Sequence, residues 1–457
     1  MHNEVPEIGP YPTHREVAED VLGKFKVISP RYWTTMAILG FLVLLGVVGF
    51  IIRLNEGFDD TNRANWGYLV ATLAFIVTTF TAMPVISAGL RLTKANWRRS
   101  FTRMNENMAL TGIVVMLLLI PAIVALPPIE GRMSIWFEWP QGAPMLWDIM
   151  GYGTLVLIGI VMLWACALPD LAAASQYLPE SPRQRLIKWL SLGWIGGTRQ
   201  WKIMYQGTLL LGVMYLLTYP LVQTLMISDF NHGLLPGYKD AIIPATVVVN
   251  GLQGAVAMTL VVMYAMRRFA GYEKYFGIDQ FWALSKPLLA FSLLWFYFFW
   301  ASFITFWYGR QPGESEILRL LVLDEYRLHF LVSLFLNFLA PLIALVWSPV
   351  RRSIWGPTIV SVGILIGVFV NQVRLFVSAF SVADPSQHVL DPRPATQWPE
   401  IPDLMIIVGS LAACIMVFMA ISKIIPVVSI WEVAEGLRLV KVRRYLNRYV
   451  RVIAKSH

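Results

Sequence analysis

The stretch WGYLVATLAFIVTTFTAMPVISAGLRL (Trp66–Leu92), continued by TKANWRRSFTR (Thr93–Arg103), decides the fold class of this chain. Its first part is long enough to cross a bilayer, because about 20 apolar residues suffice at a rise of 1.5 Å per residue. Five cations and no acid lie at or just past the end of this apolar run: Arg91, Lys94, Arg98, Arg99 and Arg103. Short loops rich in Lys and Arg stay in the cytoplasm. The stretch therefore predicts both a membrane span and the direction in which it crosses.

Composition extends this interpretation to the whole chain of 457 residues. Hydrophobic residues make up 57% and charged residues 14%, whereas a soluble domain carries about 25% charged residues. We therefore predict an all-α polytopic membrane protein. The net charge of +9 does not require nucleic acid, because the cations lie in loops and near the C-terminus, where positive-inside topology explains them.

Ten apolar segments predict ten transmembrane helices, at about 33–53, 66–91, 107–126, 145–168, 205–227, 241–266, 287–309, 327–347, 355–382 and 403–426. The loops support this count. With the N-terminus inside, cytoplasmic loops hold 16 Lys and Arg residues and the opposite loops hold 8. Every second loop is the richer one, so both termini are predicted to be cytoplasmic.

Polar segments flank the predicted transmembrane domain of residues 32–427. Residues 1–31 form a cytoplasmic N-terminal segment. Residues 428–457 are rich in Arg and Lys, and Val433, Leu437 and Val440 recur among them at helical spacing. That pattern favours a basic amphipathic helix on the cytoplasmic face of the lipid bilayer. A tail that docks on a partner subunit is an equally good interpretation.

Polar side chains inside the membrane are costly and usually face a bundle interior or a wet cavity. The candidates for a proton path are Asp148, Tyr152, Asp170, Asn250, His329, Asn371 and Arg374. All lie in the outer half except Asp170, which follows the inner end of the fourth span. Carboxylate, imidazole and guanidinium groups can exchange protons with a quinol or along a water chain. The alternative is that these groups only hydrogen-bond neighbouring helices, which contributes about 1 kcal/mol each.

Several segments, in this order and spacing, resemble the NrfD/polysulfide-reductase-type membrane anchor family, and most closely the ten-span subunits of bacterial alternative complex III. They are ISAGLRLTKANWRRSFTRMNE (Ile86–Glu106), APMLWDIMGYGT (Ala143–Thr154), LLPGYKDAIIPA (Leu234–Ala245), FYFFWASFITFWYG (Phe296–Gly309) and VFVNQVRLFVSAFS (Val368–Ser381). The resemblance implies two four-helix bundles, spans two to five and six to nine, with the first and tenth helices flanking them.

The resemblance also implies how such a subunit works. Subunits of this family bind no haem, iron–sulfur cluster or metal themselves. They assemble with periplasmic iron–sulfur and multihaem cytochrome subunits and with a paralogous ten-helix subunit that binds menaquinol or ubiquinol. The complex lies in the bacterial cytoplasmic membrane and passes electrons to cytochrome c or a small copper protein.

The quinol pocket implied by the resemblance is incomplete in this chain. Its aspartate is retained as Asp148, but a histidine of the second span falls on Thr81 and another falls near Lys239. A Glu-Arg pair of the ninth span appears as Val373 and Arg374. Thr81, Asp148 and Lys239 would then form a vestigial quinol site.

The leading hypothesis is therefore a membrane subunit without its own redox centre or complete quinol site, which supports assembly and proton translocation. One alternative is the quinol-binding subunit itself, with Asp148 as base and Lys239 or His329 replacing the missing histidine. The other is a secondary transporter, which discontinuous helices at matching positions of the two halves would favour. Only Pro84 and Pro220 hint at such breaks.

Overall fold

The computed structural model describes residues 14–59, 61–128, 131–132, 143–445 and 448–453. Ten helices in this part are long and apolar enough to cross a membrane. They are Pro30–Glu56, Arg63–Leu92, Thr102–Val124, Pro144–Tyr177, Thr198–His232, Ile243–Phe269, Ile278–Gly309, Arg327–Val346, Trp355–Phe380 and Ile401–Ile421, named the first to tenth spans below. The prediction of an all-α polytopic membrane protein with ten spans is confirmed.

Half of the spans are not single regular helices. The second begins as a 3₁₀ turn, Arg63–Trp66, and is divided into Gly67–Thr79 and Met83–Leu92. The third consists of Thr102–Asn107, a 3₁₀ turn Met108–Thr111, and Gly112–Val124. Single π-helical turns lie in the fifth, eighth and ninth spans at Ser228–His232, Phe335–Leu339 and Val373–Val377. Such turns often mark functional sites, because the extra residue re-aims side chains that regular spacing would align.

Shorter elements connect or extend the spans. They are the helices His14–Lys26, Pro182–Leu190, Pro312–Leu318, Ser348–Arg351 and Ile430–Leu439, the 3₁₀ turn Asn96–Ser100, the π turn Arg319–Leu323, and the strands β1 (Val440–Tyr445) and β2 (Arg448–Ile453).

The second span is central and wholly buried along its most apolar 18 residues. It contacts the third, fifth, sixth, ninth and tenth spans. The third contacts the fourth and the fourth contacts the fifth, while the sixth, seventh, eighth and ninth contact one another in the same cyclic order. The grouping into two four-helix bundles stays a prediction, and these contacts are the ones that it requires. Spans two to five are called the first bundle below, and spans six to nine the second bundle, as labels for these groups of spans.

The first and tenth spans pack mainly against each other. Small residues allow this, because a Cβ added at Gly46 would lie 2.8 Å from the Cα of Gly409. A bidentate ion pair closes one end of the helix pair: Arg53 places Nη2 2.7 Å and Nε 3.1 Å from the two carboxylate oxygens of Asp403. Both side chains are buried.

The N-terminal helix His14–Lys26 and the C-terminal helix Ile430–Leu439 contact each other, so both lie at one end of the spans, here called the terminal end. Arg183 ties the N-terminal helix to this end by donating to the carbonyl oxygen of Phe25 at 2.8 Å and of Lys423 at 2.7 Å. Loops that the sequence analysis placed together on one side therefore meet at this end. The cytoplasmic location of the terminal end stays a prediction.

The prediction of one amphipathic helix over residues 428–457 is wrong for Val440–Tyr445 and Arg448–Ile453, while residues 446–447 and 454–457 lie outside the described residues. Strands β1 and β2 pair antiparallel there, with Val440 opposite Ile453 and Tyr445 opposite Arg448. The physical reason is visible in VKVRRY, where valines alternate with cations at the period of a strand, and in RYVRVI, which is rich in β-branched and aromatic residues. The helix Ile430–Leu439 also packs on protein, since Ile430, Trp431 and Glu432 are buried.

The fourth span is longer than predicted, because its helix runs over Ala143–Tyr177 and continues through Pro169. Asp170 was expected to follow the end of this span. It lies inside the helix instead and is 1% exposed, which brings its carboxylate into the protein interior near the terminal end.

Candidate functional site

A cluster of paired charges lies at the terminal end. Its members, the terminal-end charge cluster below, are Arg91, Arg98, Arg103, Glu106, Asp170 and Glu432. The three guanidinium and three carboxylate groups cancel formally. The pairs are close: Arg91 Nη2 lies 2.5 Å from Glu106 and 2.9 Å from Glu432, and Arg98 Nη1 lies 2.6 Å from Glu432. Arg103 Nη2 lies 3.2 Å from Asp170.

The C-terminal helix closes this cluster. Asp170 accepts a hydrogen bond from the backbone N–H of Ile430 at 3.1 Å, at the start of that helix. Glu432, two residues after Ile430, is 1% exposed. Burial alone would raise the pKa of Glu432, but the guanidinium groups of Arg98 and Arg91 outweigh it and lower that pKa to about 2. Glu432 is therefore held as a carboxylate in the protein interior.

Two amides beside the cluster lack hydrogen-bond partners in the described part of the chain. Asn105 and Asn107 flank Glu106 in the third span and are fully buried, yet neither side-chain atom of either amide is bonded. Buried polar groups are normally satisfied by protein or by ordered water. This position between the cluster and the middle of the protein is therefore one where internal water is expected.

The middle of the first bundle is polar on the fifth span, where Tyr215, Tyr219 and Gln223 are buried one turn apart. Tyr215 donates to the carbonyl oxygen of Thr81 at 2.6 Å. This carbonyl belongs to the break Phe80–Ala82 of the second span. The N–H of Val85, its partner in a regular helix, donates to the Ala82 carbonyl instead, at 3.0 Å. The hydroxyl of Tyr215 thus satisfies an acceptor that the break releases, as discontinuous membrane helices require.

A second group of ionisable residues lies at the opposite end of the first bundle. Asp148 is fully buried, and neither of its carboxylate oxygens accepts from an N–H or hydroxyl donor of the described residues. Its carboxyl group interacts instead with that of Asp229. Asp229 and Arg132 interact with it electrostatically. Burial lowers the pKa of Arg132, and the carboxyl groups of Asp229 and Asp148 oppose that change. Two carboxyl groups and one guanidinium therefore share this buried site.

Tyr152, one turn from Asp148, is fully buried, and its hydroxyl lies 2.7 Å from the sulfur of Met226. It faces the fifth span, so the pair proposed from sequence lies in the interior of the first bundle. Carboxyl and phenol groups can each release and accept a proton, which makes this end chemically able to exchange protons.

The second bundle contains a chain of hydrogen-bonded amides. Arg374 Nη2 donates to Asn371 at 2.9 Å, Asn371 to Asn250 at 3.3 Å, and Asn250 to Gln253 at 3.2 Å. Gln253 donates in turn to the hydroxyl of Ser292 at 2.9 Å. Three predicted residues, Asn250, Asn371 and Arg374, are thus joined. Carboxamides do not ionise near neutral pH, so this chain fixes helices and cannot by itself carry protons.

The remaining predicted residues are not part of these groups. His329 is 8% exposed and lies between the rings of Tyr326 and Trp398, each with its centroid at 5.3 Å. The hydroxyl of Thr81 bonds back to the Val77 carbonyl of its own helix at 3.0 Å, and Lys239 is exposed. Among the described contacts, none joins Thr81, Asp148 and Lys239 into one pocket.

Sequence reasoning missed the terminal-end charge cluster. Arg91, Arg98 and Arg103 were interpreted as solvated topology signals, and no spacing links them to Glu432. Glu106 gave a weak signal as an acid at the start of an apolar span. Among the described residues, no group of three His, Cys, Asp or Glu side chains is placed to hold a metal ion.

Comparison with known proteins adds no identification. No protein-family model matches the chain. No curated protein matches it at a significant level.

Proposed function

We propose that this chain is an integral membrane subunit of a quinol:electron-acceptor oxidoreductase complex in a bacterial cytoplasmic membrane. It supports assembly and couples quinol oxidation, carried out by a paralogous ten-helix subunit, to proton translocation. Its other partners are periplasmic iron–sulfur and multihaem cytochrome subunits, which pass electrons to cytochrome c or a small copper protein.

The observation that carries this proposal is the placement of buried carboxyl groups at opposite ends of the first bundle. Asp148 and Asp229 lie at one end, and Asp170 and Glu106 at the other. Ionisable residues inside membranes mark ion or proton pathways more often than packing contacts do. Tyr215, Tyr219 and Gln223 lie between the two groups, and the unpaired amides of Asn105 and Asn107 favour water beside them.

A role without quinol chemistry in this chain is supported by two further observations. The Thr81 hydroxyl bonds within its own helix, and the Lys239 side chain is exposed. A base that takes a proton from quinol must lie within hydrogen-bond reach of the quinol hydroxyl. Neither Thr81 nor Lys239 is in a position typical of such a buried base.

Affinity purification of the chain in mild detergent, with mass spectrometry and a redox difference spectrum, tests the proposal. We expect haem- and cluster-bearing subunits together with a histidine-containing paralogue. A lone, colourless oligomer would remove the electron-transfer function.

A secondary transporter is the second candidate, because the second span is discontinuous at Phe80–Ala82. Broken helices line substrate sites in many transporters. The corresponding sixth span, Ile243–Phe269, is continuous, so the break is not repeated at the matching position of the other half. A colourless oligomer that takes up a solute in proteoliposomes would favour this candidate.

A further inference from the structure

A cavity of about 50 Å³ lies in the second bundle, at the end opposite the chain termini. The sixth, seventh and ninth spans form its sides and the segment 312–323 covers it. Trp295, Phe299 and Phe303 supply aromatic walls, while Asp240 and Arg374 supply the charges. The amide chain described above does not fill this space. Two of its members, Arg374 and Asn371, also line the cavity.

Two buried donors that line the cavity have no acceptor in the described part of the chain. They are the Nε–H of Arg374 and the indole Nε1–H of Trp295. The two residues are 7% and 1% exposed. They come from the ninth and seventh spans, so each helix contributes to the lining of one space a residue with an unsatisfied N–H. An unsatisfied buried donor costs about 1–3 kcal/mol, and two beside one cavity indicate that it contains hydrogen-bond acceptors.

The cavity also separates two opposite charges. The guanidinium of Arg374 bonds to Asn371 and, at 3.4 Å, to the carbonyl oxygen of Leu321, and has no carboxylate within ion-pair distance among the described residues. Asp240 accepts from the backbone N–H of Ile242 at 2.8 Å and from the hydroxyl of Ser302. A buried charge without a partner is expensive, so the medium between Arg374 and Asp240 must solvate both.

The other ionisable groups around Asp240 are Tyr238 and His232, which both interact with it electrostatically. Tyr238 is influenced by Arg374 as well and lines the same cavity as both charges. Burial raises the pKa of Tyr238, and Asp240 adds to that rise while Arg374 opposes it. Tyr238 therefore stays a neutral phenol that can donate and accept hydrogen bonds.

Water satisfies all these requirements. A water molecule can accept from Arg374 and Trp295 and donate to Asp240. Each molecule needs about 10–15 Å³, so a cavity of about 50 Å³ has room for about four. A small anion would satisfy the two donors but would meet the carboxylate of Asp240 in the same space.

We propose that this cavity holds a cluster of water molecules and that Asp240 is its proton-accepting group. A proton carried by the cluster moves to a carboxylate oxygen of Asp240, and its release to the same waters restores the carboxylate. The hydrated site is independent of any partner. Its use in coupled proton movement rests on the proposed function, to which it adds Asp240 as a proton-exchanging residue.

Radiolytic hydroxyl-radical footprinting of the purified full chain tests for the water. Trp66 is a matched control, because it is also buried but its indole N–H is satisfied by the Gly57 carbonyl at 3.0 Å. We expect Trp295 to be oxidised several-fold faster than Trp66. Equal, slow oxidation of the two tryptophans would mean that the cavity is dry and would overturn the inference while leaving the proposed function intact.

The proton-accepting role is tested in the complex reconstituted into vesicles, by the number of protons moved per electron. We expect Asp240→Asn to lower this ratio and the exposed control Asp391→Asn to leave it unchanged. Trp295→Phe, which removes one donor without removing the carboxylate, is expected to give a smaller loss. An unchanged ratio in Asp240→Asn, with Trp295 oxidised rapidly, would overturn the role of Asp240. Failure to recover redox partners at all would overturn the proposed function and this use of the site together.

Discussion

Arg91 and Glu432 are joined by a 2.9 Å ion pair, although 341 positions separate them in the chain. Glu432 also binds Arg98 at 2.6 Å, so one carboxylate neutralises two cations of the loop after the second span. Because all three side chains are nearly inaccessible, this contact stabilises the packing of the C-terminal helix on the spans. It also makes that helix part of the folded domain.

Replacing Glu432 by Gln is expected to release the C-terminal helix, because Arg98 would lose the carboxylate that it pairs with and Arg91 would lose one of its two. Breaking a buried pair from one side typically costs about 3–5 kcal/mol. The measurement is the rate of limited proteolysis in the segment 428–440, together with thermal unfolding in detergent. Glu435→Gln is the matched control one turn along, since Glu435 is partly exposed beside Arg99 and such pairs contribute about 0–1 kcal/mol. Equal proteolysis rates and unfolding temperatures of the two variants would contradict the conclusion that Glu432 holds the C-terminal helix on the spans.

The docking of this helix is expected to depend on acid pH. The folded-state pKa of Glu432 is lowered to about 2, below the value of about 4.3 for an unfolded Glu. Its contribution to stability is therefore complete above about pH 4.3 and is lost as the pH falls towards 2. Tryptophan fluorescence of Trp431 should report release in this window. If the Glu432→Gln variant shows an acid transition with the same midpoint pH, the transition is caused by another group.

Close packing of the first and tenth spans predicts a position-specific effect of small substitutions. Gly46→Ala is expected to destabilise the pair by about 1–3 kcal/mol, the usual cost of overpacking, because the added methyl would overlap Gly409. Gly40→Ala, on the same helix and with no atom within 4 Å of an added Cβ, is the control and should be neutral or slightly stabilising. Disulfide cross-linking between cysteines introduced in the two spans, with thermal unfolding, distinguishes the outcomes.

The break in the second span predicts that the hydroxyl of Tyr215 is structural. Tyr215→Phe leaves the buried carbonyl of Thr81 without its donor, for which about 1–3 kcal/mol is expected. Tyr297→Phe, at an exposed tyrosine of the seventh span, should have no measurable effect on the unfolding temperature. If the two variants unfold alike, another group or a water molecule satisfies the carbonyl.

Asp148→Asn is expected to leave the complex assembled and to lower the number of protons moved per electron. Its carboxylate accepts from no N–H or hydroxyl donor among the described residues, so the substitution removes the negative charge and changes only the interaction with the Asp229 carboxyl group. Asp59→Asn, at an exposed aspartate of the same end of the spans, controls for a change in surface charge. An unchanged ratio in Asp148→Asn, with normal subunit recovery, would exclude Asp148 from the path.

The number of spans and the alternation of loop charge followed from the sequence because hydrophobic length and cation placement are local properties. The C-terminal strands were missed although VKVRRY alternates, because Val433, Leu437 and Val440 also suited a helix. The site was only partly predictable. Asn250, Asn371 and Arg374 were recognised as polar residues inside spans, but their connection depends on how the sixth and ninth spans meet.

The terminal-end charge cluster lay beyond prediction for a different reason. Its acids come from the third span, the fourth span and the C-terminal helix, and only tertiary structure brings Glu106, Asp170 and Glu432 to the same three arginines. The cavity beside Trp295 is similar, since an aromatic residue in an aromatic-rich span carries no sign of an unsatisfied N–H.

The position of Glu432 in the chain has a consequence for biosynthesis. Arg91, Arg98 and Arg103 emerge from the ribosome more than 300 residues before the carboxylate that neutralises two of them. During insertion the loop therefore presents its full positive charge and can orient the second span. Once the C-terminal helix has been made, the same charges become buried in ion pairs with it. Residues that direct topology during synthesis therefore stabilise the folded protein afterwards.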